Sequence, residues 1–293
     1  MTKILNKIID PHLHLFNLQK GDYTWLKPQN PPFWPDKDRI NNNFIEADLL
    51  LQPPNQLAGF VHIEAGFDNQ QPWREIDWLE QHCTLPFKSM AFADITAVTF
   101  AKHLEQLKQR KSVVGIRHIL DEQAEQILSS TLIYRHFSLL SEYEFNFDAQ
   151  LSLADDQAIE QLMILANKYK TVRVIINHAG WPPAHNDLNG QKKWRLNLQK
   201  LTSCENVAIK LSGWEMSNRD WQPQQVATVI QDCLATLGDT RVMLASNFPL
   251  CLFSMSYAKM WNVYAELPAI SAQTFNNITF NNAKSWYKFS EQN

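Results

Sequence analysis

Short apolar stretches rich in Val, Ile and Phe alternate along the chain with longer segments whose apolar residues recur at helical spacing. The short stretches predict buried strands and the longer segments predict amphipathic helices. Eight strands are predicted, at KIIDPHLHL, GFVHIEA, KSMAFADI, VGIRHIL, EFNFDAQL, VRVIINHAG, NVAIKLSG and RVMLASN. Because eight strands that are each followed by a helix form a (β/α)₈ barrel, the pattern predicts a TIM barrel of the α/β class.

Length and composition agree with one large barrel. The 293 residues are 45% hydrophobic and 19% charged, and no linker rich in Gly, Ser or Pro divides them, so we expect a single domain over residues 1–293. A formal net charge of −3 without Lys/Arg clusters favours a small-molecule substrate over nucleic acid. No apolar run predicts a membrane span or a signal peptide, so a cytoplasmic protein is expected; the oligomeric state is left open.

Most cysteines and several histidines are expected to lie outside the reaction chemistry. Four cysteines lie far apart without a C-x-x-C pair, which is typical of buried or incidental thiols: Cys83, Cys204, Cys233 and Cys251. Cys251 is the exception that stays open, because it closely follows SNFPL. Four histidines fall in predicted helices or loops and are expected at the surface: His82, His103, His136 and His185.

The predicted barrel gathers polar residues at one end. Chemistry in such barrels lies at the carboxyl ends of the strands, on side chains that alternate inward. The polar residues at these positions are His12, His14, His62, Glu64, Asp94, Arg117, His118, Asp148, His178, Lys210 and Asn247. Since a buried polar group without a partner costs about 1–3 kcal/mol, this concentration indicates a functional site.

Three histidines are the sharpest candidates for metal binding or catalysis. His12 and His14 lie two residues apart on the first strand and therefore share a face, and His178 ends an apolar strand. Together they supply three nitrogen ligands for a divalent ion such as zinc or manganese, or they act on a water without a metal. Ordinary hydrogen-bonded core histidines are the alternative.

The remaining polar positions predict substrate contacts or support for the histidines. Lys210 stands between apolar neighbours and should bind a substrate oxygen, or else pair with Asp148 or Glu64. Alternation turns either Arg117 or His118 inward. Four residues either take part in the site chemistry or orient a histidine ring: His62, Glu64, Asp94 and Asp148. Three indoles just past strand ends either wall a pocket or belong to ordinary packing: Trp25, Trp181 and Trp214.

Several segments in order resemble the amidohydrolase-related TIM-barrel hydrolases, in the branch of sugar lactonases and pyrone-dicarboxylate lactonase. They are IIDPHLHLFNLQKGDYTWL, FVHIEAGFD, PWREIDWLE, GIRHIL, FNFDAQL, INHAGWP, NVAIKLSGWEM, SNFPL and FNNAKSWYKF. The resemblance implies hydrolysis of a small lactone, derived from a sugar acid or an aromatic-ring degradation product, by an activated water. It also implies that His12, His14 and His178 bind a divalent metal or, as in some members, act without one, and that Lys210 binds substrate.

The sequence departs from this family at Asn247. Relatives usually carry an aspartate there, in a Ser-Asp-Trp-Pro sequence, that takes a proton from water; a related branch reads Ser-Asn-Phe-Pro but continues Val-Asp where this chain has Leu250 and Cys251. An amide cannot accept that proton, although it can position a water or donate to an oxyanion. The base would then be a histidine, Glu64 or Asp148. A metal-dependent decarboxylase and a catalytically silent ligand-binding relative are the alternatives.

Overall fold

The eight predicted strands are all present and run parallel in one sheet. The computed structural model describes residues 6–267 and 270–290. Its strands are Asn6–Leu13 (β1), Asn55–Ile63 (β2), Phe87–Phe92 (β3), Val113–Ile119 (β4), Asn146–Gln150 (β5), Val174–Ile176 (β6), Val207–Leu211 (β7) and Val242–Leu244 (β8). They pair in sequence order from β1 to β8. Such an order leaves β1 and β8 as the two edges of the sheet.

These two edges meet just beyond their strands and nearly close the barrel. Leu13 pairs in parallel with Phe248. The Asn247 amide donates to the His12 carbonyl at 2.9 Å, and the His14 amide donates to the Phe248 carbonyl at 2.6 Å. The predicted (β/α)₈ barrel is confirmed, and its closure carries three of the candidate site residues, His12, His14 and Asn247.

Helices follow the strands and cover the outside of the barrel. They are Trp73–His82 (α1), Phe100–Leu107 (α2), Ala124–Leu128 (α3), Thr131–Glu142 (α4), Asp156–Lys168 (α5), Leu188–Lys200 (α6), Trp214–Ser217 (α7), Pro223–Leu237 (α8), Tyr257–Ala265 (α9), Ala272–Asn276 (α10) and Asn282–Trp286 (α11). Apolar residues at helical spacing face the sheet, as Ile159, Leu162 and Leu165 do in α5. Within residues 6–267 and 270–290, no helix is long and apolar enough to cross a membrane.

The amino-terminal end of the barrel is plugged by the last described segment. Ala283, Trp286 and Tyr287 pack with inward side chains of the strands, including Ile9 and Met243. Asn146 donates to the Trp286 carbonyl at 2.9 Å and ties β5 to this plug. The opposite end, where the strands finish, is therefore the one open to a ligand.

One histidine departs from its expected environment. His136 was predicted at the surface but is buried, because α4 turns it inward onto Phe100, with ring centroids 4.4 Å apart, and its Nδ1 bonds the Ile95 carbonyl at 2.7 Å. Helical periodicity assigns a half-polar residue such as histidine to either face, which explains the error.

Candidate active site at the carboxyl end of the barrel

A cavity of about 570 Å³ opens at the carboxyl ends of the strands. Its aromatic walls include Trp25 and Trp34 from the β1–β2 loop and Trp181 from the segment after β6. Its polar lining comes from several strands, namely His14, Glu64, Arg117, His118, His178 and Asn247. The barrel thus brings together most of the polar residues that the sequence predicts at its rim.

The three candidate histidines form one cluster. The ring centroid of His12 lies 5.2 Å from that of His14 and 4.6 Å from that of His178. Burial lowers the pKa of all three rings well below the usual histidine value, and nearby cations, chiefly Lys210 or Arg117, lower it further. The rings are therefore neutral near pH 7 and can accept protons.

His14 has a fixed tautomer. Its Nδ1 lies 2.8 Å from the Ile63 carbonyl oxygen, which can only accept a hydrogen bond. The proton of the neutral ring is therefore on Nδ1, and Nε2 carries a lone pair. Because His14 lines the cavity, this arrangement is that of a general base.

His178 is held by an unusual backbone turn. Four consecutive residues, 178 to 181, adopt left-handed φ values between 51° and 63°. The turn places the His178 ring beside the Trp181 ring, with centroids 4.7 Å apart and the planes tilted by 34°, and Nδ1 bonds the Ser212 hydroxyl at 3.1 Å. A Cβ on Gly213 would lie 2.5 Å from His178 Nδ1, so only glycine admits the ring there. Such strain in non-glycine residues is typical of functional sites.

Arg117 and Glu64 form a buried ion pair on the cavity wall. The guanidinium contacts the Glu64 carboxylate at 2.8 Å through Nε and at 2.5 Å through Nη2, and it reaches the Glu64 carbonyl at 2.9 Å. Gln150 accepts from Nη1 at 3.3 Å. Arg117 points into the barrel from β4, while His118 lies at the rim of the same cavity and accepts from the Ile95 amide at 3.4 Å.

Lys210 and Asp148 lie below the cavity and pair with each other, which is the alternative that the sequence left open. Both side chains are fully buried, and the ammonium donates to the Asp148 carboxylate and to the Pro11 carbonyl. Burial lowers the pKa of Lys210 to about 8 and raises the pKa of Asp148. The Tyr287 hydroxyl donates to the other Asp148 oxygen at 3.1 Å. Neither group lines the cavity, so their roles in substrate binding stay predictions.

Other candidates fall into supporting positions. His62 donates from Nε2 to Glu75 at 3.1 Å and accepts from the Leu15 amide at Nδ1, so both ring nitrogens are engaged in structural hydrogen bonds. Asp94 accepts from Thr96 and lies outside the cavity lining. Trp214 lines a neighbouring cavity of about 680 Å³, which also reaches His178 and Trp181.

Asn247 has a partner that the sequence reasoning missed. Its Nδ2 donates to Glu215 Oε1 at 2.5 Å, and both side chains are buried. Burial raises the pKa of Glu215 to about 7. The clue was present in the segment KLSGWEM, where a carboxylate follows β7 directly at the catalytic end of the barrel.

The donors around the histidines do not fit a metal centre as they are arranged. Among residues 6–267 and 270–290, no three His, Cys, Asp or Glu side chains are placed to hold a metal ion. Asp148 is engaged by Lys210, Glu64 is engaged by Arg117, and an amide stands at position 247. A divalent metal ion would also be repelled by Lys210 and Arg117, the two cations that already lower the histidine pKa values.

Comparison with known proteins agrees with this architecture. The amidohydrolase family model matches residues 9–289. The uncharacterized protein y4mH of Sinorhizobium fredii is 28% identical over 96% of this chain and 98% of its own. The L-fucono-1,5-lactonase of Burkholderia multivorans is 22% identical over 85% of this chain and 84% of its own.

Solved structures show the same fold. An amidohydrolase of Burkholderia multivorans with bound zinc superposes with a TM-score of 0.80 at 16% identity, covering 97% of this chain and 99% of that chain. A putative 2-pyrone-4,6-dicarboxylic acid hydrolase of Pseudomonas putida superposes with a TM-score of 0.73 at 19% identity, covering 98% and 99%.

Proposed function

Because the chain belongs to the amidohydrolase family, we propose that it is a hydrolase that opens a small lactone by attack of water. The observation that carries the proposal is the fixed tautomer of His14, whose Nδ1 proton is held by the Ile63 carbonyl while its ring lines the cavity. A relative that acts on a sugar-acid lactone supports this substrate class.

The first step is the attack on the ester carbonyl. The His14 Nε2 lone pair accepts a proton as a water oxygen bonds to the carbonyl carbon, and the carbonyl oxygen gains negative charge. Arg117 is the cation on the cavity wall where this charge is stabilised. The negative charge of the intermediate stabilises the protonated His14 ring, which compensates for the low pKa of that ring in the free protein.

The second step breaks the ring. The tetrahedral intermediate re-forms its carbonyl, the bond to the ring oxygen breaks, and His14 returns its proton to that oxygen. The carboxylic acid product then loses its own proton to water, so one proton is released per turnover near neutral pH. The indoles of Trp25 and Trp181 wall the cavity and give it apolar surface for the carbon skeleton of a lactone.

The donor arrangement favours water activation by His14 without a metal. If zinc or manganese is bound, His12, His14 and His178 are the nitrogen ligands that remain, and the ion would supply a more acidic water and polarise the carbonyl. The bound zinc in the Burkholderia multivorans amidohydrolase makes this alternative worth measuring.

The test is a panel of sugar-acid and aromatic-derived lactones assayed with a pH indicator, with a His14→Gln variant as control. We expect proton release with at least one lactone, and a loss of about 10²–10⁴-fold in kcat in the variant. Carbon dioxide release from an aromatic acid instead would identify a decarboxylase. Tight lactone binding without proton release would identify a catalytically silent protein.

A further inference from the structure

Glu215 is a buried carboxyl group beside the cavity that the two steps above do not use. Its Oε1 accepts from Asn247 Nδ2 at 2.5 Å, and Oε2 is buried without a hydrogen-bond partner among the described residues. Arg219 donates to the Glu215 backbone carbonyl, and among the described residues the carboxylate accepts a side-chain hydrogen bond from Asn247. The amide of Asn247 is thus the principal partner of this carboxylate.

The groups that face Glu215 leave its ionisation close to neutral pH. Burial raises its pKa to about 7, and the Asn247 hydrogen bond and the charge of Arg219 oppose the rise. Cys251 and Tyr264 also face it, and burial together with the Glu215 charge raises the pKa of both, so they stay neutral. Asp10 also acts on Cys251 and Tyr264, but its pKa is raised to about 6, so Glu215 is the group of this cluster that titrates near 7.

The contact determines which atom Asn247 turns toward the cavity. An ionised carboxylate can only accept hydrogen bonds, so it holds the amide nitrogen on its own side. The amide oxygen then faces away from Glu215. Asn247 raises the pKa of His14, because an amide oxygen on that side can accept from Nε2 once His14 is protonated. A protonated Glu215 can donate its O–H, which favours the reversed amide.

We propose that Glu215 is a positioning residue that orients the Asn247 amide so that its oxygen faces His14 and the attacking water. Relatives with a carboxylate in place of Asn247 present an oxygen atom in either orientation. In this chain Glu215 holds the amide nitrogen, so the amide oxygen is the atom left facing the cavity. The inference rests on the proposed lactone hydrolysis for its catalytic consequence, but the orientation itself belongs to the Glu215–Asn247 contact.

The orientation can be measured without a substrate by NMR of the Asn247 side-chain amide, assigned by its disappearance in Asn247→Asp. We expect a strongly shifted amide proton at pH 8.5 that reverts as pH falls through about 7, and no reversion in Glu215→Gln. The exposed Glu205→Gln is the matched control and should behave as wild type. An amide signal that ignores pH in the wild-type protein would overturn the proposal.

Activity supplies the second readout. Glu215→Gln retains an acceptor oxygen, so kcat should no longer fall as pH drops through 7; Glu215→Leu should lose about tenfold to a hundredfold in kcat with little change in KM. A wild-type acid limb in Glu215→Gln, or a wild-type kcat in Glu215→Leu, would overturn the proposal. If wild-type protein hydrolyses no lactone, the proposed function fails, and the NMR result alone decides the orientation.

Discussion

The His12 and His178 rings lie 4.6 Å apart, and both His12 ring nitrogens are buried without a hydrogen-bond partner in the described part of the chain. Two imidazoles this close cannot both be charged, and the charge of the buried Lys210 lowers the pKa of both rings further. The cluster is therefore a set of neutral rings, which are either proton acceptors or ligands. Whether the rings act as proton acceptors or as ligands determines whether the reaction needs a metal ion.

Metal removal should leave the proposed activity intact. We expect dialysis against a chelator to change kcat little, because water activation falls to His14 and Arg117, and protein purified without added metal should hold well below one zinc or manganese per chain. The measurement is elemental analysis beside the lactone assay, with a His12→Ala, His178→Ala variant as control. Activity that is lost to chelator and restored by zinc would require a metal mechanism.

Arg117→Lys should weaken catalysis more than binding. Lysine cannot keep both the paired contact to the Glu64 carboxylate and the charge at the cavity wall, because its ammonium is a single point. We expect kcat to fall by about 10²-fold, as when one stabilising donor of an oxyanion is lost. Glu64→Gln, which leaves the guanidinium in place, should cost less. Equal kcat in Arg117→Lys and wild type would remove Arg117 from the mechanism.

Breaking the buried Lys210–Asp148 pair should destabilise the barrel. Lys210→Met leaves the Asp148 carboxylate buried without its cation, which costs about 3–5 kcal/mol of unfolding free energy. The double variant Lys210→Met, Asp148→Leu removes both charges and should recover much of this loss. Urea unfolding measures both. A raised KM in Lys210→Met without loss of stability would instead support the substrate-binding role predicted from the sequence.

The barrel and the rim residues could be predicted because strand alternation is a strictly local pattern. It predicts that His12, His14 and His178 lie near one another and that Lys210 and Asp148 turn inward, and the structure has these side chains close together, while their roles in chemistry stay predictions. It could not give depth along the barrel axis, because a side chain one layer below the mouth has the same alternation as one that lines it. The sequence therefore allows Lys210 either to bind a substrate oxygen or to pair with a carboxylate.

Glu215 was missed for a different reason. It lies in the short helix α7, just after the strand, where neither a period of two nor a helical period indicates direction. Its contact with Asn247 joins residues 32 positions apart. Only the closure of the barrel brings the segments after β7 and β8 together, so the segment KLSGWEM indicates a carboxylate at the catalytic end but not that it contacts Asn247.

Asp10 should make stability fall as pH rises. Burial raises its folded-state pKa from 3.8 to about 6, so the folded protein binds more protons than the unfolded chain between these values. Stability from protonated Asp10 is present below pH 3.8 and is lost as pH rises through 6. Asp10→Asn keeps an acceptor for the Ser246 amide and should gain roughly 3 kcal/mol over wild type between pH 4 and pH 8 in urea unfolding. A pH-independent difference would contradict the assignment.

Gly213→Ala should impair catalysis through the His178 ring, and Gly238→Ala is a control for backbone strain alone. Both glycines have φ of +74°, but ψ is 20° at Gly213 and 175° at Gly238. The first pair of angles is left-handed helical and costs alanine about 1–2 kcal/mol, whereas the second is essentially confined to glycine and costs more. The added Cβ would lie 2.5 Å from His178 Nδ1 at position 213, whereas at position 238 it meets none of the described atoms within 4 Å. We therefore expect both variants to lose stability, but only Gly213→Ala to lose about 10²-fold in kcat, because a displaced His178 ring disturbs the histidine cluster that contains the base His14. Equal kcat in the two variants would show that His178 does not need its present position.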